Sequence, residues 1–289
     1  MRPFFYTFAA AMALAPLAHG AAIVRSAVTT AGAADVTFNG VINQFRTDLG
    51  GALNPPGACA PACTTGRREI NWDAVPAGSS SPNNFAGNFF NGANPALPAG
   101  RQRGANFTTP GTGFRVSATD FSDEVPAFGP TEFAAFSPAR LFATLGSPFT
   151  DVTFAVPGSP TVSATVNGFG VIFSDVDYTG SATIEYFDLS GASLGLFNVE
   201  GVFPTPDGRN ASESFSFLGI TFDAGERVAR VRIMSGTHGI DGNFVGNDDA
   251  VVMDDFIYGE PIASEVPEPS TFLTGGAGLL ALIALRRRS

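Results

Sequence analysis

The sequence predicts a mainly β chain: an antiparallel β-sandwich with one N-terminal amphipathic helix, plus an N-terminal signal peptide and a C-terminal transmembrane helix. Three observations carry that reading. Strand-like segments recur from Arg103 onward, separated by turns of Gly, Pro, Asp or Asn. Phe occurs 28 times beside 34 Gly and 21 Pro but a single Trp, a balance that favours strands and tight turns over helical bundles. Val228 to Ile233 alternates apolar and basic residues, which turns Val231 and Ile233 inward and Arg230 and Arg232 toward solvent.

Taken in order, Met1-Arg2-Pro3 supplies a minimal positive start, Phe4 to roughly Leu17 is apolar, and Ala18-His19-Gly20 offers small residues before Ala21. This pattern predicts a secretory signal peptide over residues 1–20, with a retained anchor as the alternative. The exported body then spans 21–262, enough chain for one large all-β domain or two small ones. Its first part, 21–104, reads as helix and loop. Phe38, Val41, Ile42, Phe45 and Leu49 fall at helical spacing and Gly50-Gly51 supplies a stop. That spacing predicts a helix over about 34–49, packed against a sheet edge. Cys59 and Cys63 suit a disulfide in an oxidising compartment, with free thiols as the alternative. With no nearby His they make a poor metal site, and the spacing is not that of a redox Cys-x-x-Cys pair.

Trp72, followed by Asp73, has two readings. It is either an exposed aromatic platform for a sugar ring, with the carboxylate beside it, or a core tryptophan ending a short strand. The stretch Arg67-Arg68-Glu69-Ile70-Asn71-Trp72-Asp73 resembles exported bacterial proteins of unassigned function, and the resemblance brings no activity. Residues 78–100 are rich in Ser, Asn, Pro and Gly and predict a long surface loop. The regular part, 105–262, predicts strands over 105–108, 114–118, 134–136, 152–156, 164–173, 182–189, 194–199, 214–222, 227–234 and 250–258. The 183–197 region forms a hairpin around Leu189-Ser190-Gly191. The last of these strands, AVVMDDFIY, looks like the closing strand of jelly-roll carbohydrate-binding or lectin-like modules. That resemblance, over roughly 147–260, implies a jelly-roll-like antiparallel β-sandwich and no particular ligand.

Charge and composition narrow the chemistry. The formal charge is −10, and every strong base is Arg, so a nucleic-acid partner is not expected. Asp175 and Asp177 in one loop, and Asp241, Asn243, Asp248 and Asp249 in another, place hard oxygen ligands close in sequence. With Asp254 and Asp255 they are candidates for a structural Ca²⁺. Neither loop is an EF-hand, and turn capping without an ion is the alternative. After signal removal His238 is the sole histidine, and lysine is absent. No catalytic residue is assigned and the body is expected to be non-enzymatic. The alternative is a secreted carbohydrate-active hydrolase using paired carboxylates.

The C-terminal unit covers 263–289. Phe272 to Leu285 is uncharged and as a helix spans roughly 20 Å, short for a bilayer core of about 30 Å. A transmembrane segment over about 270–285 becomes feasible with snorkelling arginines. Arg286, Arg287 and Arg288 keep the C-terminus cytoplasmic and leave the body on the far side. Val266-Pro267-Glu268-Pro269, the short apolar span and the terminal arginines resemble the PEP-CTERM sorting signal of Gram-negative bacteria. The resemblance implies recognition of Pro267, Glu268 and Pro269 by a membrane-embedded exosortase and removal of the anchor. The expected partners are the Sec translocon, signal peptidase, exosortase and exopolysaccharide. The expected product is a cell-surface or extracellular-matrix protein, transiently anchored in the inner membrane, that associates with exopolysaccharide or another glycan.

Overall fold

The computed structural model describes residues 22–264, apart from 31–33, 58, 60–62, 93–97, 127, 130 and 242. The signal peptide, the apolar segment at 270–285 and the motif residues Val266, Pro267, Glu268, Pro269, Arg286, Arg287 and Arg288 lie outside the described residues. Among the described residues no helix is long and apolar enough to cross a membrane.

The body is mainly β, with two antiparallel sheets and one α-helix, as the composition predicts. In chain order the strands are β1 (Ala22–Thr29), β2 (Arg67–Ile70), β3 (Ala105–Thr108), β4 (Gly113–Ser117), β5 (Leu141–Leu145), β6 (Phe149–Val156) and β7 (Ser159–Thr165). They continue as β8 (Gly168–Ser174), β9 (Thr183–Phe187), β10 (Ser193–Asn198), β11 (Phe215–Phe222), β12 (Arg230–Met234), β13 (Val252–Gly259) and β14 (Ile262–Ala263). The first sheet runs β1-β11-β8-β13-β5-β4 with β2 also on β13, and the second runs β10-β9-β12-β6-β7-β14 with β3 on β6.

Burial follows from what covers each face. β12 has one covered face, so Val231 and Ile233 are buried while Arg232 is exposed, the alternation read from the sequence. β8, β11 and β13 are buried at every residue, which requires cover on both faces. The inner face meets the second sheet, and helix α1 (Val36–Asp48) covers the outer face through Phe38, Ile42 and Phe45. Asp35 starts this helix by accepting from the Phe38 amide at 2.8 Å. It lies on the outer face over the edge strand β1 and its neighbour β11, where glycines open the surface to it. A Cβ on Gly219 would stand 2.7 Å from Phe45 Cδ2, and one on Gly170 2.8 Å from Phe45 Cε1.

Other departures have local causes. Residues 134–136 join no ladder. Their amides turn to a side chain, with Phe136 and Ser137 donating to Asp254 Oδ2 at 2.6 and 3.0 Å. The single strand predicted over 164–173 is two strands, β7 and β8, separated at Val166-Asn167. The predicted hairpin is present as β9 and β10, with a bulge between Ser193 and Gly195. β13 lies inside the first sheet, between β8 and the pair β2 and β5, and does not close an edge.

Trp72 joins these parts. Its ring stacks on Phe142 of β5 at 4.1 Å and 5°, and meets Phe256 of β13 edge-on at 5.1 Å. Phe107 of β3 and, from the loop after Trp72, Phe85 and Phe90 complete the surround, each at 5.7 Å. The indole N–H donates to the Asp254 carbonyl at 2.7 Å. Both sheets and the loop therefore meet on one side chain. Trp72→Ala is expected to cost about 3–5 kcal/mol in urea unfolding. Trp72→Phe, which keeps the ring but orphans the carbonyl, is expected to cost about 1–3 kcal/mol. A loss below about 1 kcal/mol for the alanine variant would contradict this role.

Candidate functional site

The stretch from β2 to Trp72 builds one end of the body. Alternation along β2 buries Arg68 and Ile70 and leaves Arg67 and Glu69 half-exposed. A buried guanidinium needs a full set of acceptors. Arg68 donates to both oxygens of Glu260 at 2.7 and 2.8 Å and to the Pro55 carbonyl at 3.0 Å. Asn54 also donates to Glu260 at 2.8 Å. Cys59 and Cys63 are joined by a disulfide, Cα–Cα 5.5 Å, and Cys59 Sγ lies 3.6 Å from Arg68 Nη2. The bridge thus lies beside this ion pair. Burial would raise the Glu69 carboxyl. Arg46, at 2.9 and 3.0 Å, and Arg67, at 2.6 Å, outweigh burial and hold it below its ordinary value.

Two cavities open beside this frame. One, of about 240 Å³, is lined by Asn54, Arg68, Glu69, Asn71, Arg103 and Asp255 among others. The second, of about 320 Å³, is lined by residues including Asn71, Trp72, Phe89, Phe90, Arg101 and Arg103. They share Asn71 and Arg103. Backbone bonds fix the walls: Arg103 and Gly104 donate to the Phe90 carbonyl at 2.8 and 3.0 Å, and Gly92 donates to Arg101 at 2.8 Å. Tyr258 of β13 donates its hydroxyl to the Arg103 carbonyl at 3.0 Å.

The exposed-platform reading of Trp72 does not hold. The residue is 1% exposed, because its face is spent on Phe142. Asp73 accepts from the Arg140 amide at 3.1 Å and from Asn71 at 2.9 Å, and burial raises its carboxyl. It pins two loops together. The predicted surface loop over 78–100 likewise sends Phe85, Phe89 and Phe90 inward, all buried.

The acidic residues separate into three groups. Asp241 and Asn243 are exposed, and Asp241 accepts from the Asn243 amide at 2.9 Å while Asp248 accepts from Val245 at 2.9 Å. These are turn-capping contacts. Asp254 and Asp255 sit at a bulge in β13, where the Ser137 hydroxyl meets both, at 3.1 and 2.7 Å. Burial, then the neighbouring Asp255 charge, raises Asp254 well above the usual carboxylate range, and burial raises Asp255. The third group joins the two predicted loops. Asp249 Oδ2 accepts from the Asp177 amide at 3.1 Å, and Asp177 Oδ1 from Ala211 at 2.5 Å. Asp175 and Asp249 are buried, each with one oxygen lacking a partner. Burial, then the charges of Asp177, Glu132 and Asp249, pushes Asp175 up to about 10. Burial pushes Asp249 up to about 7. Three ligand atoms of His, Cys, Asp or Glu lie within 4.8 Å of one another, among the described residues, only at Cys59, Cys63 and Glu260. There the two sulfurs are spent on each other.

A neutral acid at Asp175 has a definite sign in stability. The unfolded carboxyl titrates near 3.9, so its stabilising share is complete below that pH and falls as pH rises toward 10. Asp175→Asn donates to Glu132 as the protonated acid does. The variant is expected to gain on the parent between pH 5 and 9 by up to about 1.4 kcal/mol per pH unit. Denaturant melts with calcium and with chelator should coincide. A pH-independent difference would contradict a protonated Asp175, and a calcium-dependent rise in Tm would favour the ion.

Residues 265–288 match the model of the PEP-CTERM protein-sorting motif. The motif marks an exported protein sorted through a membrane-anchored tail and implies exosortase processing. No curated protein matches the chain. Among solved structures, the enzymatically active domain of bacteriophage CBA120 tailspike protein 4 is similar to 67% of this chain at 12% identity and a TM-score of 0.23. The matched part spans 21% of that chain.

Proposed function

We propose that this exported, sorted protein works outside the cell as a non-enzymatic glycan-binding component of the surface or extracellular matrix. The observation that supports this is the pair of neighbouring cavities that share Asn71 and Arg103 in their linings. One half presents amide, carboxylate and guanidinium groups from Asn54, Asn71, Asp255 and Arg103, and the other presents the aromatic walls Phe89 and Phe90. A sugar ring needs both kinds of contact, polar at its hydroxyl rim and apolar against its C–H face. Asn71 and Arg103 border both halves, so a single oligosaccharide could engage them together.

The rival reading, a hydrolase with paired carboxylates, has Glu69 and Asp255 on one cavity. Against it, Glu69 is tied to two arginines, and Asp255 accepts from the Ser137 hydroxyl at 2.7 Å. Both carboxylates are engaged by the protein's own groups.

Binding of the mature body to a polysaccharide array, including the producer's own exopolysaccharide, tests the proposal. Retention is expected, with about a tenfold loss for Asn71→Ala and no new reducing ends. Retention on nothing would overturn it, and glycan cleavage would favour the hydrolase. For the tail, Glu268→Ala is expected to leave the protein in the membrane fraction, while unchanged release would contradict exosortase-dependent processing.

A further inference from the structure

In a chain of formal charge −10 most arginines have a carboxylate to answer. Arg25, Arg46, Arg67, Arg68, Arg115, Arg209, Arg230 and Arg232 each bridge one. Arg101 and Arg103 bridge none among the described residues, and they stand side by side on the second cavity. Their hydrogen bonds go to neutral carbonyls: Arg101 Nε to Phe89 at 3.3 Å, Arg103 Nε to Gly100 at 3.0 Å, and Arg103 Nη1 to Glu69. Their guanidinium planes lie over aromatic rings, Arg101 at 4.1 Å from the Phe89 centroid and Arg103 at 5.7 Å from that of Phe90. These contacts orient the two forks without neutralising them. The described residues lining this cavity include no Asp or Glu, and burial lowers the Arg103 pKa. Two cations that bridge no carboxylate among the described residues, beside aromatic walls in an acidic protein, are half of a charge-complementary site.

We infer that the second cavity is a subsite for an acidic sugar, a uronic acid residue. Its carboxylate faces Arg101 and Arg103, and its ring lies against Phe89 and Phe90. This rests on the glycan-binding reading above and adds the charge class of the ligand. Asn71, at the junction of the cavities, is placed to meet the next sugar of the chain.

The test is calorimetric titration of the mature body with oligomers of galacturonate, glucuronate and mannuronate, with their methyl esters, and with neutral oligosaccharides. At least one free-acid oligomer is expected to bind. Its affinity should drop about tenfold or more on esterification, and by a similar factor in Arg101→Gln with an unchanged melting temperature. The ester arm uses the parent protein, so it holds even if the variant folds poorly. Equal binding of acid, ester and neutral sugars would overturn the acidic subsite and leave glycan binding intact. Binding of none of them would overturn both.

Discussion

The body depends on the burial of one tryptophan at a chain reversal. Trp72 sits at φ 63°, a left-handed conformation that costs a residue with a Cβ about 1–2 kcal/mol. Five phenylalanine rings and one carbonyl offset that cost. The reversal has a positional consequence. With Trp72 turned into the core, Asn71 lines both openings and Asp73 reaches across to Arg140. Core packing and binding-site geometry share one constraint, so the site is only as rigid as the aromatic cluster behind it.

Around that centre, buried polar groups take over work that strand ladders do elsewhere. Asp254 takes the amides of Phe136 and Ser137 that a neighbouring strand would otherwise accept. Arg68 and Glu260, with side chains 2% and 4% exposed, tie β2 to the residue that follows β13. Such pairs are costly to bury and contribute mainly when every donor is satisfied, as Pro55 and Asn54 arrange here. Arg101 and Arg103, with no carboxylate bridge among the described residues, lie instead over the Phe89 and Phe90 rings at the cavity.

Legibility in the sequence followed from the number of covered faces and from the range of the partners. The helix, the β9–β10 hairpin and β12 were readable because each has one covered face and a clean period. β2 was readable only as the short strand before a core Trp72: RREI looks polar, since the partner that makes Arg68 a buried residue lies 192 positions away. Trp72 was readable as two things, and the choice turned on phenylalanines hidden in a Ser-, Asn- and Gly-rich stretch. The Asp-rich loops were visible as clusters. Which carboxyls are buried together and which merely cap turns depends on how the 175–177 and 248–249 segments meet, and no local pattern encodes that. Arg101 and Arg103 carried one usable signal, two bases in a stretch with no nearby acid.

Trp72 is the only tryptophan in the chain, so its intrinsic fluorescence reports on this centre without interference. The most direct measurement is acrylamide quenching of that emission in the mature body, followed through denaturant unfolding alongside far-UV circular dichroism. The account predicts a blue-shifted, unquenched emission that becomes accessible only in the transition that melts the sheets. A red-shifted, freely quenched emission in the native protein would contradict it.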